Sequence, residues 1–303
     1  MHELKEQTLI LFSTPIYLFI IGIELLLSNL WQKKLYSFKD TITNVYLMLL
    51  NAGIDLTFRL FYLVIWNYFY QKSIITWQSI YFYWIFLFLG EDFLYYWLHR
   101  FDHVIRFFWA SHVTHHSSEN MNFTVGFRSS VFQPLYRFIY FIPLAWFGFK
   151  PADILLVFAV TQIWGIFVHT KLIHKMGILE YFLVTPSHHR VHHASNPKYL
   201  DKNMGMFLII WDKLFGTFQK ELTDNYEPIH YGLTTPVKNE NAFGIIFHEW
   251  KAILKDIVRN DINFKHKLKY IFGPPGWSHD GTRKTSSEMR KLEDEFLTKN
   301  KIH

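Results

Sequence analysis

The sequence contains five long runs of apolar residues, and these runs limit what the chain can fold into more than any other feature. The first covers residues 8–30 and carries Glu24 as its only charge. The others cover about residues 45–70, 80–98, 131–149 and 152–168, the last two joined at Lys150-Pro151 as a helical hairpin. A helix needs about 20 mostly apolar residues to cross a bilayer. We therefore expect an all-α, polytopic membrane protein with about five transmembrane helices.

The composition agrees with a membrane protein and narrows its chemistry. Hydrophobic residues make up 50% of the chain and aromatic residues 19%, which is rich for a soluble domain. Since the chain has no cysteine, disulfides, thiolate metal sites and iron–sulfur clusters are excluded, and metal ligands must be nitrogen or oxygen. The net charge of +6 suits anionic lipid. No basic helix is concentrated enough to predict nucleic-acid binding.

Basic residues flank the apolar runs unevenly, which predicts the orientation in the membrane. Cytoplasmic loops carry an excess of lysine and arginine. One side of the membrane would hold only Lys5, Lys72 and Lys150. The other side would hold the loops after the first, third and fifth runs, with Lys33, Lys34, Lys39, Arg100, Arg106, Arg128, Lys171 and Lys175. We expect that second side to face the cytoplasm.

Histidines are concentrated in one part of the chain. Eleven of the 17 lie between His99 and His193, a stretch that makes up less than a third of the 303 residues. Residues three or four apart share one face of a helix. This spacing predicts three clusters of metal-binding imidazoles, formed by His99 and His103, by His112, His115 and His116, and by His189, His192 and His193. Eight ligands exceed the four of one tetrahedral zinc, so two metal ions are expected.

The sequence lacks the motifs of several common enzyme classes. It has no Gly-x-Gly-x-x-Gly after a strand, no Gly-x-Ser-x-Gly and no His-Glu-x-x-His, which are typical of dinucleotide-binding proteins, hydrolases and metalloproteases. A pair of Glu-x-x-His motifs, needed for a ferritin-like di-iron site, is also absent. Metal ligation must therefore come mainly from histidine.

The three ordered clusters resemble those of the membrane fatty acid hydroxylase and sterol desaturase superfamily. The resemblance covers about residues 91–218 and includes the downstream segment Trp211-Asp212-Lys213-Leu214-Phe215-Gly216-Thr217. Within the superfamily, these motifs are most similar to those of the members that cleave alkylglycerol ethers. The resemblance implies a di-iron centre at the cytosolic membrane face that activates O2 and oxidises a C–H bond of a lipid.

The resemblance also implies which residues bind the metal. The ligands would be His99, His103, His112, His115, His116, His169, His189, His192 and His193. His174 and His188 are further candidates, as ligands or as neighbours of ligands.

Three further residues are candidates for orienting the ligands through hydrogen bonds. Asp92 and Tyr96 lie on the same helical stripe as His99 and His103, and an acid inside a membrane helix is a functional candidate. The alternative for Asp92 is a salt bridge to an arginine such as Arg59 or Arg100. Asp212 is the third candidate, and its alternative is a helix cap.

The reaction implied by the resemblance is hydroxylation of an alkyl chain. It needs two iron ions, O2, a membrane lipid and a separate electron donor, either a tetrahydropterin or a redox protein that docks on the basic face. On an alkylglycerol, hydroxylation beside the ether oxygen gives a hemiacetal that collapses to an aldehyde and glycerol. The chain would then divide into N-terminal transmembrane helices (1–90), the histidine-rich core with the hairpin at about 131–168 (91–218), and a cytosolic C-terminal region with a charged tail (219–303).

Other functions remain open at this point. A sister desaturase or hydroxylase acting on a sterol, a carotenoid or a fatty acyl chain would have the same clusters. A metal-binding membrane protein without turnover, such as a transporter, would place its histidines along the spanning helices. A structural zinc protein would need a closed site of four ligands, which nine histidines fit poorly.

Overall fold

The computed structural model describes residues 3–222, 226–237 and 241–300. In this part of the chain there are 11 α-helices and no β-strand, apart from the isolated bridges Leu183–Leu208 and Ala194–Tyr231. The expected all-α class is therefore confirmed. The helices are α1 (Glu3–Leu30), α2 (Phe38–Gln71), α3 (Ile80–Val104), α4 (Arg106–His116), α5 (Pro134–Trp146), α6 (Pro151–Phe167), α7 (Pro186–His192), α8 (Ile210–Leu214), α9 (Ala242–Ile257), α10 (Phe264–Phe272) and α11 (Ser286–Asn300).

Two of these helices are long and apolar enough to cross a membrane. They are α1, over Ser13–Leu30, and α2, over Phe38–Gln71, and in each only 11% of the window is buried. At 1.5 Å per residue, the 34 residues of α2 extend about 50 Å, which exceeds the thickness of a hydrocarbon core. The apolar side chains of both helices therefore face outward, as they would in lipid.

The other three apolar runs are helical, but their helices differ from the expected spans. The third run continues as a 25-residue helix to Val104, and the fourth and fifth form helices of only 13 and 17 residues. Proline determines where the last two begin, since Pro134 and Pro151 occupy their first turns. Of the five expected spans, only two reach the usual length and apolarity in the part of the chain that the structure describes.

The apolar core lies between α2, α3, α5 and α6. Trp66, Leu87, Phe141 and Ile154 are buried there. An unpaired polar group is costly in an apolar environment, and Trp66 shows how such a group is paired inside this bundle. The indole Nε1 of Trp66 donates to the carbonyl oxygen of Phe138 at 2.9 Å.

Asp55 forms an ion pair inside the same bundle. The guanidinium of Arg59, four residues further along α2 and therefore on the same helix face, donates to it at 2.7 Å, and Arg137 of α5 contacts it as well. These contacts join α2 to α5.

The histidine-bearing segments meet at one end of the bundle. Glu24 of α1 is buried and accepts hydrogen bonds from the backbone N–H of Phe123, at 2.8 Å, and from the hydroxyl of Thr170. Asn44 of α2 donates to Thr124 at 3.2 Å. Both long helices are therefore fixed to the loops beside α4 and α6, where the histidines lie.

The C-terminal region packs against α4. Arg106, the first residue of α4, is buried and donates to Glu249 and to Asp256 of α9, both at 2.6 Å. Arg283 also donates to Asp256, at 2.8 Å. The expected charged tail helix is present as α11, while residues 301–303 of that tail lie outside the described residues.

Candidate metal centre

Nine histidines form two adjacent groups at the end of the bundle. Within each group, one ring nitrogen of every histidine lies within 4.8 Å of the corresponding nitrogens of the others. The rings are buried, except for the partly exposed His115. The first group consists of His99, His103, His112, His116 and His192, and the second of His115, His169, His189 and His193.

Three helices and one loop bring these rings together. His99 and His103 lie one turn apart on α3, and α4 contributes to both groups, because His115 points to one and its neighbour His116 to the other. The short helix α7 and the residue after it supply the third cluster, and His169 follows the end of α6. The centres of the His116 and His193 rings are 4.4 Å apart, so the two groups are in contact.

Hydrogen bonds on the outer side of the rings determine where their protons are. The Nδ1 atoms of four histidines lie 2.6 to 3.0 Å from backbone carbonyl oxygens. A carbonyl oxygen can only accept, so each of these Nδ1 atoms must carry the proton, which leaves Nε2 with a lone pair. The pairs are His99 with Met204, His115 with Arg128, His169 with Gly165, and His192 with Lys202.

The inner nitrogens are arranged as metal ligands would be. The Nε2 atoms of His99 and His112 are 3.1 Å apart, and those of His169 and His193 are also 3.1 Å apart. Among the described residues, Nε2 of His103 and Nε2 of His192 have no hydrogen-bond partner although they are buried. Buried nitrogen lone pairs that face one another without partners are unfavourable, and a bound cation would satisfy them. The donor set therefore fits borderline metals such as iron.

His189 departs from this pattern. Its Nδ1 is buried without a partner in the described structure, and its Nε2 lies 2.8 Å from Nε2 of His169. Both of its nitrogens thus face the second group or the protein interior.

Burial keeps seven of the rings neutral. Loss of solvent contact lowers the pKa of His115 to about 4. Burial, reinforced by neighbouring imidazoles, lowers the pKa well below its ordinary value for His112, His116, His169, His189, His192 and His193. A neutral imidazole is the form that binds metal, so these seven rings can do so at neutral pH.

His174 and His188 lie outside both groups. His174 is exposed, and its backbone carbonyl accepts a hydrogen bond from Arg190 at 2.8 Å. His188 is buried, and its Nδ1 accepts from the backbone N–H of Thr185 at 3.3 Å, which completes a capping box at the start of α7. Neither side chain is therefore part of the third cluster.

Asp92 holds the segment before α8. Its carboxylate accepts from the backbone N–H groups of Phe207 and Leu208, at 2.9 and 3.1 Å, and from the indole of Trp211 at 2.8 Å. The sequence suggested an imidazole or an arginine as its partner, and these three donors are neither. Asp92 thus fixes the backbone that leads away from Met204 instead of a ring nitrogen.

Asp212 acts on the centre through one backbone group. It accepts from the N–H of Met204 at 2.7 Å and from the hydroxyl of Thr217 at 2.6 Å. The carbonyl of Met204 in turn accepts from His99, so Asp212 positions the acceptor of that ring. Tyr96 lies 2.9 Å from Thr217 and joins the same hydrogen-bonded set.

Sequence reasoning missed three polar side chains beside the rings. Ser130 lies 2.8 Å from Nδ1 of His112, and the fully buried Asp102 lies 3.7 Å from the same atom. Asp201 lies 3.6 Å from Nδ1 of His103. Asp102 could have been found from its position between two histidines on α3. Asp201 has a φ of 54°, a conformation that Asp tolerates, and only the fold brings it near α3.

Comparison with known protein families finds a match for the histidine-bearing part of the chain. Residues 84–217, which include both histidine groups, match the model of the family described as Fatty acid hydroxylase. The segment 84–217 therefore belongs to the fatty acid hydroxylase family.

Several curated proteins are similar to this chain over a larger part of its length. The alkylglycerol monooxygenase of Xenopus tropicalis is 36% identical over 275 residues, which cover 88% of this chain and 59% of the relative. The human alkylglycerol monooxygenase is 36% identical over 91% of this chain and 61% of its own length. The human lathosterol oxidase is 27% identical over 52% of this chain and 56% of its own length.

Two facts bound these comparisons. The chain spans about three fifths of the length of the alkylglycerol monooxygenases just named. No solved structure is a significant match to it.

Proposed function

We propose that this fatty acid hydroxylase family member is a membrane-bound lipid monooxygenase that holds two iron ions and hydroxylates an alkyl chain. The observation that carries the proposal is the convergence of nine imidazoles, eight of them buried, in two adjacent groups. The names of the relatives that are 36% identical supply the substrate class, an alkylglycerol, whose ether bond would be cleaved after hydroxylation.

Each histidine group would hold one iron ion. The first group offers five nitrogens and the second offers four. Iron bound there would supply the activation of O2 and the attack on a C–H bond that no amino-acid side chain can carry out. A single closed zinc site would use only four ligands and leave the other lone pairs buried and unsatisfied.

The protein's own residues would orient the ligands and exclude water. Backbone carbonyls hold the Nδ1 protons of four rings, which fixes both the tautomer and the direction of the inner lone pair. Ser130 and Asp201 lie beside the Nδ1 atoms of two further rings, those of His112 and His103. Because eight of the nine rings are buried, water would be largely excluded from the centre. Protonation of the ligands and side reactions with water would then be suppressed.

We propose that α1, α2, α3 and the pair α5 and α6 are inserted in the membrane, with the histidines at the cytoplasmic face. The outward apolar surfaces of α1 and α2 support insertion. Basic residues near the C-terminal ends of α1, α3 and α6, such as Lys33, Arg100 and Lys171, support this orientation. The short helices α5 and α6 would cross together, with their ends protected by neighbouring helices.

The electrons would come from a separate donor, either a tetrahydropterin or a redox protein that docks on the basic residues of the cytoplasmic face. A sister reaction of the family is a second candidate, because the human lathosterol oxidase is 27% identical over half of this chain. Oxidation of a sterol ring would then replace oxidation of an alkyl chain.

Metal analysis combined with a turnover assay tests the proposal. Protein purified without added zinc should contain about two irons per chain, in keeping with two ligand groups. Membranes containing it should convert an alkylglycerol to aldehyde and glycerol only when O2 and a donor are present. Stoichiometric zinc without iron-dependent turnover would contradict the proposal, and turnover of a sterol in place of the alkylglycerol would select the second candidate.

A further inference from the structure

The helix α10 exposes an apolar stripe. Phe264, Leu268 and Phe272 are 71%, 41% and 58% exposed. They are spaced four residues apart and therefore share one face of the helix. The opposite side of α10 is anchored by Tyr270, which is buried. Such large side chains are rarely left in water in a row, so this face needs a covering.

The neighbouring helix α9 exposes a similar stripe. Phe243 and Leu254 on α9, and Val258 directly after it, are exposed, while Ile245 and Ile246 are buried against Leu47 and Val131. The buried isoleucines hold α9 to the protein, and the exposed side chains face outward.

Lysines border both stripes. They are Lys251 and Lys255 on α9, and Lys265, Lys267 and Lys269 on α10. The ammonium group of Lys251 lies 4.8 Å from the ring centre of Phe243, and that of Lys269 lies 4.4 Å from the ring centre of Trp277.

The acids of this region are engaged with arginines. Glu249 pairs with Arg106, and Asp261 pairs with Arg259. Asp256 pairs with Arg106 and with Arg283. The charge left along the stripes is therefore positive.

A chain of aromatic contacts joins these stripes to the candidate membrane span α2. Ring centres are 6.3 Å apart between Phe272 and Phe107, and 5.2 Å apart between Phe107 and Trp250. The contacts continue through Phe132 to Phe247, which packs against the cluster that contains Leu47 of α2. Packed aromatic side chains thus attach α9 and α10 to the candidate membrane span α2.

We infer that α9 and α10 lie in the plane of the membrane surface, with their apolar stripes in the acyl boundary and their lysines against anionic lipid headgroups. An apolar stripe edged by lysines is what an interfacial helix requires, and each lysine near an anionic leaflet adds to the binding. An acidic protein would fit the lysines, but it would not account for exposed apolar side chains on two helices that are packed onto a candidate membrane span. The inference rests on the proposed insertion of α2 in the bilayer.

Because the chain has no cysteine, single cysteine variants allow site-specific spin labelling of the full-length protein in nanodiscs. The test positions are Leu268→Cys and Phe264→Cys. Leu56→Cys on α2, where the native side chain is 71% exposed, is the control for lipid contact. Lys291→Cys on α11, where the native side chain is 79% exposed, is the control for water contact.

The inference predicts that labels at 264 and 268 collide with O2, which is concentrated in lipid, severalfold more than with a water-soluble nickel complex. Their accessibility should match the label at 56 and not the label at 291. Replacing the three lysines of α10 by glutamate should shift the label at 268 toward water, and more strongly in discs that contain phosphatidylserine than in discs that contain only phosphatidylcholine.

Three outcomes would overturn the inference. Labels at 264 and 268 that resemble the label at 291, with the label at 56 in lipid, would refute it while α2 remains inserted. Protection of these labels from both reagents would indicate a protein contact in place of lipid. A label at 56 that is exposed to water would refute the proposed membrane insertion, and the inference with it.

Discussion

The Nε2 atoms of His99 and His112 lie 3.1 Å apart, while Nδ1 of His99 donates its proton to the carbonyl oxygen of Met204. The Nε2 of His99 therefore has no proton to give. The same geometry recurs at His169, whose Nδ1 donates to Gly165 and whose Nε2 faces His193 at 3.1 Å. The fold thus gathers lone pairs in its interior, and a cation bound there should stabilise the folded protein.

Removing the metal should therefore lower stability. A ligand present at a hundred times its dissociation constant stabilises a protein by about 2.7 kcal/mol. We expect a chelator to lower the thermal midpoint of the iron-loaded protein in detergent, and iron to restore it. A midpoint that does not respond to the chelator would show that the buried lone pairs are satisfied in another way.

His192→Ala should remove iron from the first histidine group. Its Nε2 is one of the two buried inner nitrogens without a protein partner in the described structure. We expect the iron content to fall from about two to one or fewer per chain and turnover to be lost. His174→Ala is the matched control, because its side chain is exposed and lies outside both groups. Equal iron content in the two variants would contradict the assignment of ligands.

Gly126→Ala should disturb the second histidine group through packing alone. A Cβ at this position would lie 3.0 Å from Cα of Ile166 and 3.2 Å from Nδ1 of His169. Since the first of these contacts is with backbone, the ring of His169 should shift and the iron content should fall. Gly53→Ala, which would meet nothing within 4 Å, is the control and should stabilise α2 by up to about 1 kcal/mol.

Asp212→Asn should weaken metal binding without touching a ligand. In the native protein the two carboxylate oxygens accept from the backbone N–H groups of Met204 and Gly205, one each. Asparagine has the same size but only one oxygen, and its amide nitrogen cannot accept, so one of these two hydrogen bonds is lost. The carbonyl of Met204 should then hold His99 less firmly. We expect the iron affinity to fall about 10- to 100-fold, measured by competition with a chelator. An unchanged iron affinity would show that Asp212 holds the loop in place without affecting metal binding.

Acid should loosen the C-terminal region from α4 through Asp256. Burial alone would raise the pKa of this carboxyl, but the hydrogen bonds from Arg283 and Arg106 outweigh it and lower the pKa below its usual value. The folded protein therefore binds this proton less readily than the unfolded chain. The stabilisation is complete above about pH 4, the ordinary value for aspartate, and declines as the pH falls toward the lowered pKa.

Thermal midpoints measured between neutral and acidic pH test this dependence. Asp256→Asn should be less stable than the native protein at neutral pH, and the difference should shrink in acid. Asp294→Asn, on the exposed side of α11, should follow the native profile. A difference between Asp256→Asn and the native protein that stays constant with pH would rule out the carboxylate as its cause.

Local spacing predicted eight of the nine histidines, since residues three or four apart share a helix face, whereas His169 was implied only by the resemblance to the hydroxylase superfamily. Spacing could not divide the nine into two groups. His115 and His116 are neighbours in the chain, yet they belong to different groups. That division depends on how the helices pack, which the spacing of one helix does not contain.

The apolar runs predicted helices, but they did not predict where each helix ends. The third apolar run ends at about residue 98, but its helix α3 continues to Val104. Only the spacing of His99 and His103 from Asp92 and Tyr96 predicted that the helix extends past the apolar run. The fourth and fifth runs include turn residues that are apolar but not helical. An apolar run indicates that its side chains are buried or in contact with lipid. It does not show whether the backbone there is helical or part of the adjoining loop.

Four of the groups that orient the imidazoles are main-chain oxygens, at residues 128, 165, 202 and 204. Replacing the side chains at these positions leaves the carbonyl oxygens in place. Alanine substitutions would therefore not reveal these four groups. These hydrogen bonds depend on the path of the main chain around the centre. Changes of loop length should therefore impair them more than changes of residue type.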